Sequence, residues 1–416
     1  MIRKMKGTMD IFPGEALEFR RAEEVMRRQA ALYGYGEIRT PVFENTELFV
    51  RGVGEGTDVV QKEMFTWTDR EEGRSISLRP EGTASVVRAL IEHGKFSEAM
   101  PQKYFYIGSF FRHEAPQAGR SREFFQFGTE LFGAATPEAD ACAISLASSV
   151  LRSLGLAGVR LHLNSIGCAE CRPAYRSALL RYYDEHRPEL CETCRTRMEK
   201  NPLRLLDCKE PGCRALAAGA PRTLDCLCES CRAHFDTLCG LLDEAGVAYE
   251  ADPAIVRGLD YYTRTVFEFI AEGIGAQSTV CGGGRYDGLV ASLGGPDTPA
   301  VGVGMGLTRV LLAQKQQGVP APETPAPLLY IAALGEAARG RGSVLVEGLR
   351  RAGVYAESDV VGRSLKAQMK YADKIGARYT LLLGDAELES GRATLRDMEK
   401  SEQREIDLNR LADEIR

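Results

Sequence analysis

The chain has few of the features that place a protein in or across a membrane. Its amino terminus, MIRKMKGTMDIF, contains no apolar run suited to a signal peptide, and no stretch of the 416 residues is long and apolar enough to span a bilayer. It also has no strong excess of charge, since 53 Lys and Arg stand against 58 Asp and Glu, a net charge of -5. We therefore expect a cytosolic protein. The weak acidity disfavours a protein that coats nucleic acid over its whole surface but permits a local basic patch.

Two familiar nucleotide-binding motifs are also missing. The segment GGGRYDG, residues 282–288, lacks the GK[ST] ending of a phosphate-binding P-loop. The segment VGVGMG, residues 301–306, has the pattern GxGxG rather than GxGxxG, and no dinucleotide-binding unit follows it. A nucleotide bound by this chain must therefore be held by other means.

The length and one proline-rich stretch divide the chain. A chain of 416 residues is too long for one core and suggests two or three domains. Residues 314–327, QKQQGVPAPETPAP, are polar and rich in proline, which is typical of an extended linker. Beyond them, strand and helix patterns alternate as in an independent α/β domain of three layers. We predict one domain over 1–325, with a cysteine-rich helical subdomain inserted at 165–246, and a second domain over 326–416.

The stretch from Tyr104 to Phe132 predicts two antiparallel strands joined by a long loop, because its flanks are rich in aromatic and β-branched residues. Arg112 ends the first strand, and Arg120 and Arg122 begin the second. A planar guanidinium binds phosphate through paired hydrogen bonds, and loops on a rigid sheet often carry function. The arginines therefore suggest a substrate that bears phosphate, although a charged hairpin tip is the plain alternative.

Eight of the twelve cysteines form four close pairs. The pairs are Cys168/Cys171, Cys191/Cys194, Cys208/Cys213 and Cys228/Cys231. In a reducing cytosol disulfides are disfavoured, and paired thiolates at this spacing suit tetrahedral zinc. Two sites of four thiolates would use all eight, and the sequence does not decide among the three ways of combining the pairs. Such sites leave no open coordination position, so the zinc would be structural. The alternative is a set of buried reduced thiols.

Four segments of the chain resemble histidyl-tRNA synthetases, a family of class II aminoacyl-tRNA synthetases. In order they are GTMDIFP at 7–13, SLRPEGTA at 77–84, RGLDYYTRTVFEF at 257–269 and CGGGRYDGLV at 281–290. The resemblance extends over nearly the whole chain. It implies an α+β catalytic domain with a mostly antiparallel sheet and a C-terminal α/β anticodon-binding domain. It also implies a homodimer that packs across GYGEIRTPVFENTELF. The paired cysteines depart from it, because the family does not in general need zinc.

The resemblance implies a reaction and its residues. Histidine and ATP would give histidyl-adenylate and pyrophosphate, with Mg²⁺ bridging the phosphates, and histidine would then pass to the 3′ end of its tRNA. The residues implied to bind histidine are Glu81, Gly82, Thr83, Gln126, Glu130, Tyr261, Tyr262 and Tyr286. Those implied to bind ATP are Arg112, Arg120, Arg257 and Arg309. Arg112 and Arg257 would be catalytic, because they neutralise the charge that develops at the α-phosphate.

The second domain carries a repeated lysine. Lys366, Lys370 and Lys374 recur every fourth residue of a predicted helix. A solvated helix face is the usual meaning of such a pattern, but the resemblance to an anticodon-binding domain implies contact with RNA phosphates.

The sequence departs from the family at three positions and leaves one other function open. Ala115, Phe125 and Thr308 stand where basic, histidine and acidic residues are usual, which affects the finer contacts to ATP and the tRNA end. The alternative function is that of the catalytically silent relative that regulates ATP phosphoribosyltransferase. That relative usually lacks the C-terminal domain and has degraded arginine motifs, whereas both are present here.

Overall fold

The computed structural model describes residues 2–71, 73–115, 119–200, 202–206, 208, 210–255, 258–273 and 278–415. The chain forms two compact units, residues 1–322 and residues 323–416. Within the described residues no helix combines the length and the apolar character needed to cross a membrane.

Helices surround the sheet of the first unit and also build most of its cysteine-rich insertion. They are α1 Pro13–Leu32, α2 Thr46–Val53, α3 Thr83–Glu92, α4 Pro137–Ser153, α5 Cys171–Glu185, α6 Glu192–Lys200, α7 Pro211–Ala218, α8 Glu229–Glu244, α9 Leu289–Ser292 and α10 Leu307–Gln316. In α1 the buried positions Ala22, Met26 and Ala30 recur every fourth residue, so one stripe of the helix faces the core.

The strands of the first unit form one large sheet and one small sheet. They are β1 Gly36–Glu37, β2 Phe43–Asn45, β3 Thr66–Thr68, β4 Ser75–Leu78, β5 Gln102–Phe111, β6 Glu123–Phe132, β7 Val159–Ser165, β8 Tyr249–Ala251, β9 Thr263–Ala271, β10 Thr279–Arg285 and β11 Ala300–Gly306. Among the described residues the large sheet has the order β1-β5-β6-β11-β10-β9-β7-β8. Its pairs are antiparallel except at the two edges, where β1 joins β5 and β7 joins β8 in parallel. The predicted, mostly antiparallel α+β architecture is confirmed.

The longest ladder of the large sheet is the predicted hairpin. Strands β5 and β6 pair over ten residues each, with Tyr106 opposite Gly128 and Tyr104 opposite Glu130. Apolar side chains on one face of this sheet pack against α1, α4, α8 and α10, and Phe127 and Phe267 lie fully buried there. The hairpin loop therefore extends from a rigid, well-packed pair of strands.

The sequence from Ser278 to Tyr286 predicts a strand followed by a glycine turn, and the second part of this prediction is wrong. All three glycines lie inside β10, paired to both β9 and β11. A Cβ on Gly283 would lie 2.2 Å from the carbonyl oxygen of Gly302, and a Cβ on Gly284 would lie 2.5 Å from that of Thr265. Glycine is required here because neighbouring backbones approach closely, not because the chain turns.

The small sheet carries an exposed aromatic pair. It has the order β2-β4-β3, and the rings of Phe43 and Trp67 lie 6.4 Å apart on its surface. Phe43 is 57% exposed and Trp67 is 44% exposed. Large apolar side chains that share an exposed surface often mark a binding interface.

The insertion has a core of its own. Helices α5, α6 and α7 bury Tyr175, Tyr183, Cys194 and Cys213 together. Its last helix, α8, instead places Phe235, Leu238 and Leu242 in the core of the large sheet. The insertion is therefore joined to the sheet through α8.

The second unit is a mixed α/β fold. Its elements are β12 Leu329–Ala333, α11 Glu336–Arg351, β13 Ala356–Ser358, α12 Leu365–Lys374, β14 Tyr379–Leu383, α13 Asp385–Ser390, β15 Arg392–Asp397, β16 Gln403–Asp407 and α14 Leu411–Glu414. The sheet order is β13-β12-β14-β15-β16, parallel for the first three strands and antiparallel for the last two. On α12 the three lysines are exposed, while Leu365, Met369 and the following Ile375 pack towards the core.

Candidate active site

A buried carboxylate lies at the centre of the site. Glu130 of β6 is 1% exposed and accepts hydrogen bonds from three hydroxyls. Thr83 Oγ1 donates to Glu130 Oε1 at 2.7 Å, Tyr106 Oη donates to the same atom at 3.2 Å, and Tyr286 Oη donates to Oε2. These donors come from α3, β5 and the end of β10, so three separate elements converge on one side chain.

The surroundings of Glu130 control its charge. Burial, and to a smaller extent the nearby Glu81, raise the pKa of Glu130, whereas the three hydroxyl donors oppose the rise, and the resulting value is about 8. A carboxylate with this pKa changes its charge near neutral pH, which is a frequent property of functional sites. Glu130 can therefore respond to a ligand that donates a hydrogen bond or carries positive charge.

Glu81 lies at the start of α3. Its two carboxylate oxygens accept hydrogen bonds from the backbone N–H groups of Thr83 and Ala84, both at 2.8 Å. Glu81 therefore caps the helix, and each oxygen keeps capacity to accept a second hydrogen bond. Burial raises its pKa, although the two backbone donors partly offset this effect.

Three tyrosine rings pack together beside Glu130 and form what we call the tyrosine wall. The ring of Tyr261 lies 4.7 Å from that of Tyr262 and 5.5 Å from that of Tyr286, and Tyr286 packs edge-on against Phe132. Burial raises the pKa of Tyr261 and of Tyr286, so both hydroxyls stay protonated. The wall therefore offers hydrogen-bond donors in an apolar setting.

The glycines of VGVGMG make room for the site residues. A Cβ on Gly302 would lie 2.0 Å from Glu130 Oε2, and a Cβ on Gly304 would lie 2.2 Å from Gln126 Nε2. Both glycines lie in β11, directly opposite Glu130 and Gly128 of β6. The glycines of this segment therefore leave space for side chains of the neighbouring strand β6.

Tyr106 is a member of the site that the sequence did not single out. Its ring fills the space over two glycines, because a Cβ on Gly128 or Gly82 would lie 2.1 or 2.3 Å from its Cζ. The sequence carries one signal for this role, because Tyr104 and Tyr106 alternate along the first strand of the hairpin. To recognise that signal one must know the β5–β6 register, which places a glycine opposite Tyr106.

An arginine-rich cleft of about 450 Å³ lies in the same unit. Its lining residues are Asp58, Val59, Glu63, Arg112, Glu114, Arg120, Cys191, Thr193, Arg197, Cys208, Glu210 and Gly258. Arg112 Nε donates to the Pro80 carbonyl at 3.0 Å, and its guanidinium lies 5.4 Å from the ring centre of Phe124. Arg120 pairs with Glu114 at 2.9 Å. Two of the predicted phosphate-binding arginines therefore border a single cleft, and Glu114, which the sequence did not single out, lies between them.

Arg309 and Arg257 are the other two arginines predicted to bind ATP, and the structure describes only Arg309. Arg309 donates from Nε to the Gly119 carbonyl at 3.0 Å and from Nη1 to the Thr279 carbonyl at 2.8 Å. Burial and the charge of Arg120 lower its pKa. The guanidinium is thus fixed beside the hairpin loop. Arg257 lies outside the described residues.

The eight paired cysteines form two clusters, which we call cluster A and cluster B. Cluster A is Cys168, Cys171, Cys228 and Cys231, and cluster B is Cys191, Cys194, Cys208 and Cys213. In each, the sulfur atoms all lie within 4.8 Å of one another. The Cys168 sulfur lies 3.8 Å from that of Cys171 and 3.9 Å from that of Cys228. Tetrahedral zinc with bonds of about 2.3 Å separates its sulfurs by about 3.8 Å, so both clusters can hold a metal.

The thiols of each cluster differ in acidity. Although burial opposes it, hydrogen bonds from neighbouring backbone N–H groups lower the pKa of Cys168 to about 7, whereas burial raises those of Cys171 and Cys231. In cluster B the pKa of Cys191 is lowered by the backbone N–H of Cys194, while burial raises that of Cys194. Four thiolates this close repel one another, and a bound cation removes that repulsion.

A buried ionic network supports the tyrosine wall and was also missed. Asp140 of α4 accepts hydrogen bonds from His234 Nε2 and Thr265 Oγ1, and it pairs with Arg285 at 2.5 Å. The side chains of Asp140 and Arg285 are both fully buried. Arg285 also pairs with Asp287 and directly precedes Tyr286. These partners lie up to 145 residues apart in the sequence, so no local pattern joins them.

Comparison with known proteins agrees with this geometry. A family model described as histidyl-tRNA synthetase matches residues 7–310, and one described as an anticodon binding domain matches residues 329–416. The chain belongs to the histidyl-tRNA synthetase family. The synthetase is 50% identical over 406 residues to the histidine--tRNA ligase of Desulforamulus reducens, covering 98% of this chain and 97% of the relative. It is also 50% identical over 416 residues to the histidine--tRNA ligase of Desulforudis audaxviator, and this match covers 100% of this chain and 99% of the relative.

Solved structures support the same assignment. The apo histidyl-tRNA synthetase of S. aureus matches with a TM-score of 0.83 and 35% identity, over 100% of both chains. A Bacillus halodurans structure described as an ATP phosphoribosyltransferase regulatory subunit/histidyl-tRNA synthetase matches with a TM-score of 0.67 and 22% identity, over 92% of this chain and 98% of that one. That likeness shows a shared fold alone. The names of these relatives support a histidine--tRNA ligase and do not favour the regulatory alternative.

Proposed function

We propose that this chain activates L-histidine with ATP and transfers it to its tRNA through the residues described above. The observation that carries the proposal is the convergence of three hydroxyl donors on buried Glu130, in the same unit as a cleft bordered by Arg112 and Arg120. The first arrangement suits a small polar ligand and the second suits phosphates. Joining the two substrates requires alignment and charge neutralisation more than covalent help.

The histidine would lie against Glu130. Its imidazole ring donates a hydrogen bond to the Glu130 carboxylate, while Gln126, Tyr261, Tyr262 and Tyr286 offer polar groups and ring surface around it. A pocket built on hydrogen bonds rejects analogues that lack them far better than an apolar slot does. The α-amino group lies at Glu81, near Gly82 and Thr83, because a buried carboxylate with remaining lone pairs suits an ammonium.

The ATP phosphates would lie in the arginine cleft. Arg112 and Arg257 would neutralise the charge that develops at the α-phosphate, Arg120 would bind the outer phosphates, and Arg309 would support the nucleotide beside the hairpin loop. Mg²⁺ bound to the phosphates would neutralise further charge there. Burial, and next the charge of Glu114, raise the pKa of Glu63 in this cleft, so carboxylates that favour a cation are present.

Both cysteine clusters would hold structural Zn²⁺. Their sulfur separations and the repulsion among close thiolates support this, and four thiolates leave no position for a substrate. Protein purified without oxygen or chelators should contain about two zinc ions per chain by elemental analysis. A content well below one would contradict the proposal and favour reduced thiols.

The remaining assignments concern assembly and RNA. We place the catalytic domain at 1–325, with the insertion at 165–246, and the anticodon-binding domain at 326–416. The exposed lysines of α12 contact RNA phosphates, and the exposed Phe43 and Trp67 belong to a homodimer interface. The place of action is the cytosol, where tRNA is charged. Sedimentation that finds only a monomer would contradict the dimer.

One preparation can test the whole proposal. Exchange of labelled pyrophosphate into ATP should depend on histidine, and no other amino acid should replace it. Charging of tRNA should follow with the same protein. Replacing Lys366, Lys370 and Lys374 together by alanine should leave the exchange unchanged while weakening tRNA binding and reducing its dependence on salt. Absence of histidine-dependent exchange in well-folded protein would overturn the proposed function.

A further inference from the structure

Cluster B forms part of the wall of the arginine cleft. The catalytic side of the cleft contributes Arg112, Glu114 and Arg120, and the insertion contributes Cys191, Thr193, Arg197, Cys208 and Glu210. Two of these insertion residues are ligands of the proposed metal site. The metal site and the phosphate site therefore border the same space.

Helix α6 connects the two sites. Cys191 precedes the helix and Cys194 lies in its first turn, whereas Thr193 and Arg197 are four residues apart and so share one face. That face lines the cleft, and the adjacent face, about 100° round the helix, buries Cys194 and Met198 in the insertion core. One face of α6 is thus held by the cluster, and the neighbouring face borders the proposed phosphate site.

The start of α6 depends on the sulfur atoms. The backbone N–H of Cys194 donates to the Cys191 sulfur at 3.4 Å, and that of Cys191 donates to the Cys213 sulfur at 3.2 Å. The helix has nine residues, and a helix this short is marginal in water without tertiary support. A metal bound to four thiolates would fix Cys191 and Cys194 relative to Cys208 and Cys213.

The charged side chains of the cleft indicate what α6 binds. Three guanidinium groups line the cleft, Arg112 and Arg120 from the catalytic side and Arg197 from the insertion. Four carboxylates line it with them, and these are Asp58, Glu63, Glu114 and Glu210. ATP is bound by proteins together with Mg²⁺, so the carboxylates suit the cation while guanidinium groups from two parts of the chain suit the phosphates. A cleft of about 450 Å³ is within the usual size of a small-molecule site.

We propose that cluster B, with its metal bound, positions α6 so that Arg197 binds the polyphosphate of ATP from the insertion side of the cleft. This inference rests on the proposed function, because it assumes that ATP occupies the cleft. Arg197 is then a substrate-binding residue contributed by the insertion, and the cluster B cysteines are positioning residues that act through α6. Cluster A borders no part of this cleft among the described residues, so the two metals have different effects on ATP.

The main test measures ATP binding directly by calorimetry on the full-length, zinc-loaded protein without histidine. Arg197→Ala should weaken ATP binding about tenfold, as expected for losing a hydrogen bond to a charged group. Its zinc content and its KM for histidine should stay unchanged. The matched control is Arg195→Ala on the same helix, since Arg195 donates to the Pro188 carbonyl and does not line the cleft. The control should bind ATP like the parent protein.

A second pair of variants separates the two clusters. Cys191→Ser with Cys208→Ser should remove one zinc and weaken ATP binding, whereas Cys168→Ser with Cys228→Ser should remove one zinc and leave ATP binding unchanged. The inference is overturned if Arg197→Ala binds ATP normally, or if it weakens tRNA binding alone. ATP affinity is measured without the reaction, so a failure of histidine-dependent exchange would be recognised separately.

Discussion

The proposed histidine pocket around Glu130 and the proposed phosphate cleft lie in one unit but are built in opposite ways. In the pocket, Glu130 is buried and each carboxylate oxygen already accepts a hydrogen bond from protein. In the cleft, the side chains of Arg112 and Arg120 are 26% and 33% exposed, and they lie 3.9 Å and 2.9 Å from carboxylate oxygens of the partly buried Glu114. The pocket is thus preorganised for one ligand shape, while the cleft supplies charge with freedom to adjust. The difference suggests that selectivity resides in the pocket and rate in the cleft.

This comparison predicts that disrupting the buried ionic network of Asp140 and Arg285 strongly lowers the stability of the protein. Asp140→Asn should lower the free energy of unfolding by about 3–5 kcal/mol, because it breaks a fully buried ion pair and leaves the charge of Arg285 poorly matched. Urea denaturation at pH 7 measures this. The control is Asp184→Asn, whose carboxylate is 68% exposed and pairs loosely with Arg187. A loss of under about 1 kcal/mol for Asp140→Asn would contradict the prediction.

The contribution of Asp140 to stability should also depend on pH, and the Asp140→Asn variant tests this. Burial alone would raise the pKa of Asp140, but the hydrogen bond from His234 and the charge of Arg285 outweigh it and lower the pKa below its ordinary value of 3.8. A lowered folded-state pKa gives stability that is present above about pH 4 and is lost as the pH falls through the folded value. The parent protein should therefore lose this contribution in acid, whereas Asp140→Asn should have none to lose.

In the proposed phosphate cleft, the removal of one charged side chain should reduce the reaction rate rather than the stability. Arg112→Ala should reduce the kcat of pyrophosphate exchange by about 10²–10³-fold, since one donor aimed at developing charge is removed. The KM for histidine and the midpoint of thermal unfolding should change little, because Arg112 is partly exposed. Arg160→Ala, which loses only a surface pair with Glu272, is the control. A stable variant with less than tenfold loss would remove the distinction between the two regions.

The smallest expected effect is a pH-dependent change in the affinity for histidine, which tests the part that the charge of Glu130 plays in the proposed pocket. Glu130→Gln resembles the protonated carboxyl, so it should bind histidine almost like the parent protein at pH 6 and about tenfold more weakly above pH 8, where Glu130 is ionised. Calorimetric titration with histidine measures the ratio of the two Kd values at each pH. A ratio that stays constant from pH 6 to pH 9 would mean that the charge of Glu130 has no part in binding histidine.

The Glu130→Gln variant also carries a stability prediction of the opposite sign to that of Asp140. The folded protein holds a proton on Glu130 more tightly than the unfolded chain does, because its pKa is raised from 4.5 to about 8. Stability should therefore decline as the pH rises between these two values. The Gln variant should lack that decline, and an identical pH profile for both proteins would contradict it.

The sequence predicted what depends on local pattern. The hairpin of β5 and β6 follows from its aromatic strands. The helical spacing of apolar residues over Glu15–Gly34 likewise predicts the first helix, which lies at Pro13–Leu32. The association of the cysteine pairs could not be predicted, because Cys168 and Cys228 lie 60 positions apart in the sequence and meet only in the folded chain. The strand glycines were assigned to a turn because composition does not reveal that a neighbouring carbonyl lies 2.2 Å from where a Cβ would be.

The placement of α8 bears on how the insertion could be removed or exchanged. Its His234 donates to the buried Asp140, and its Phe235, Leu238 and Leu242 cover the large sheet. Excising residues 165–246 would uncover that apolar surface and leave Asp140 without one of its donors. The insertion therefore cannot be treated as a detachable module. A chimera that replaces it should keep α8 and make its junction before Glu229, where the helix begins.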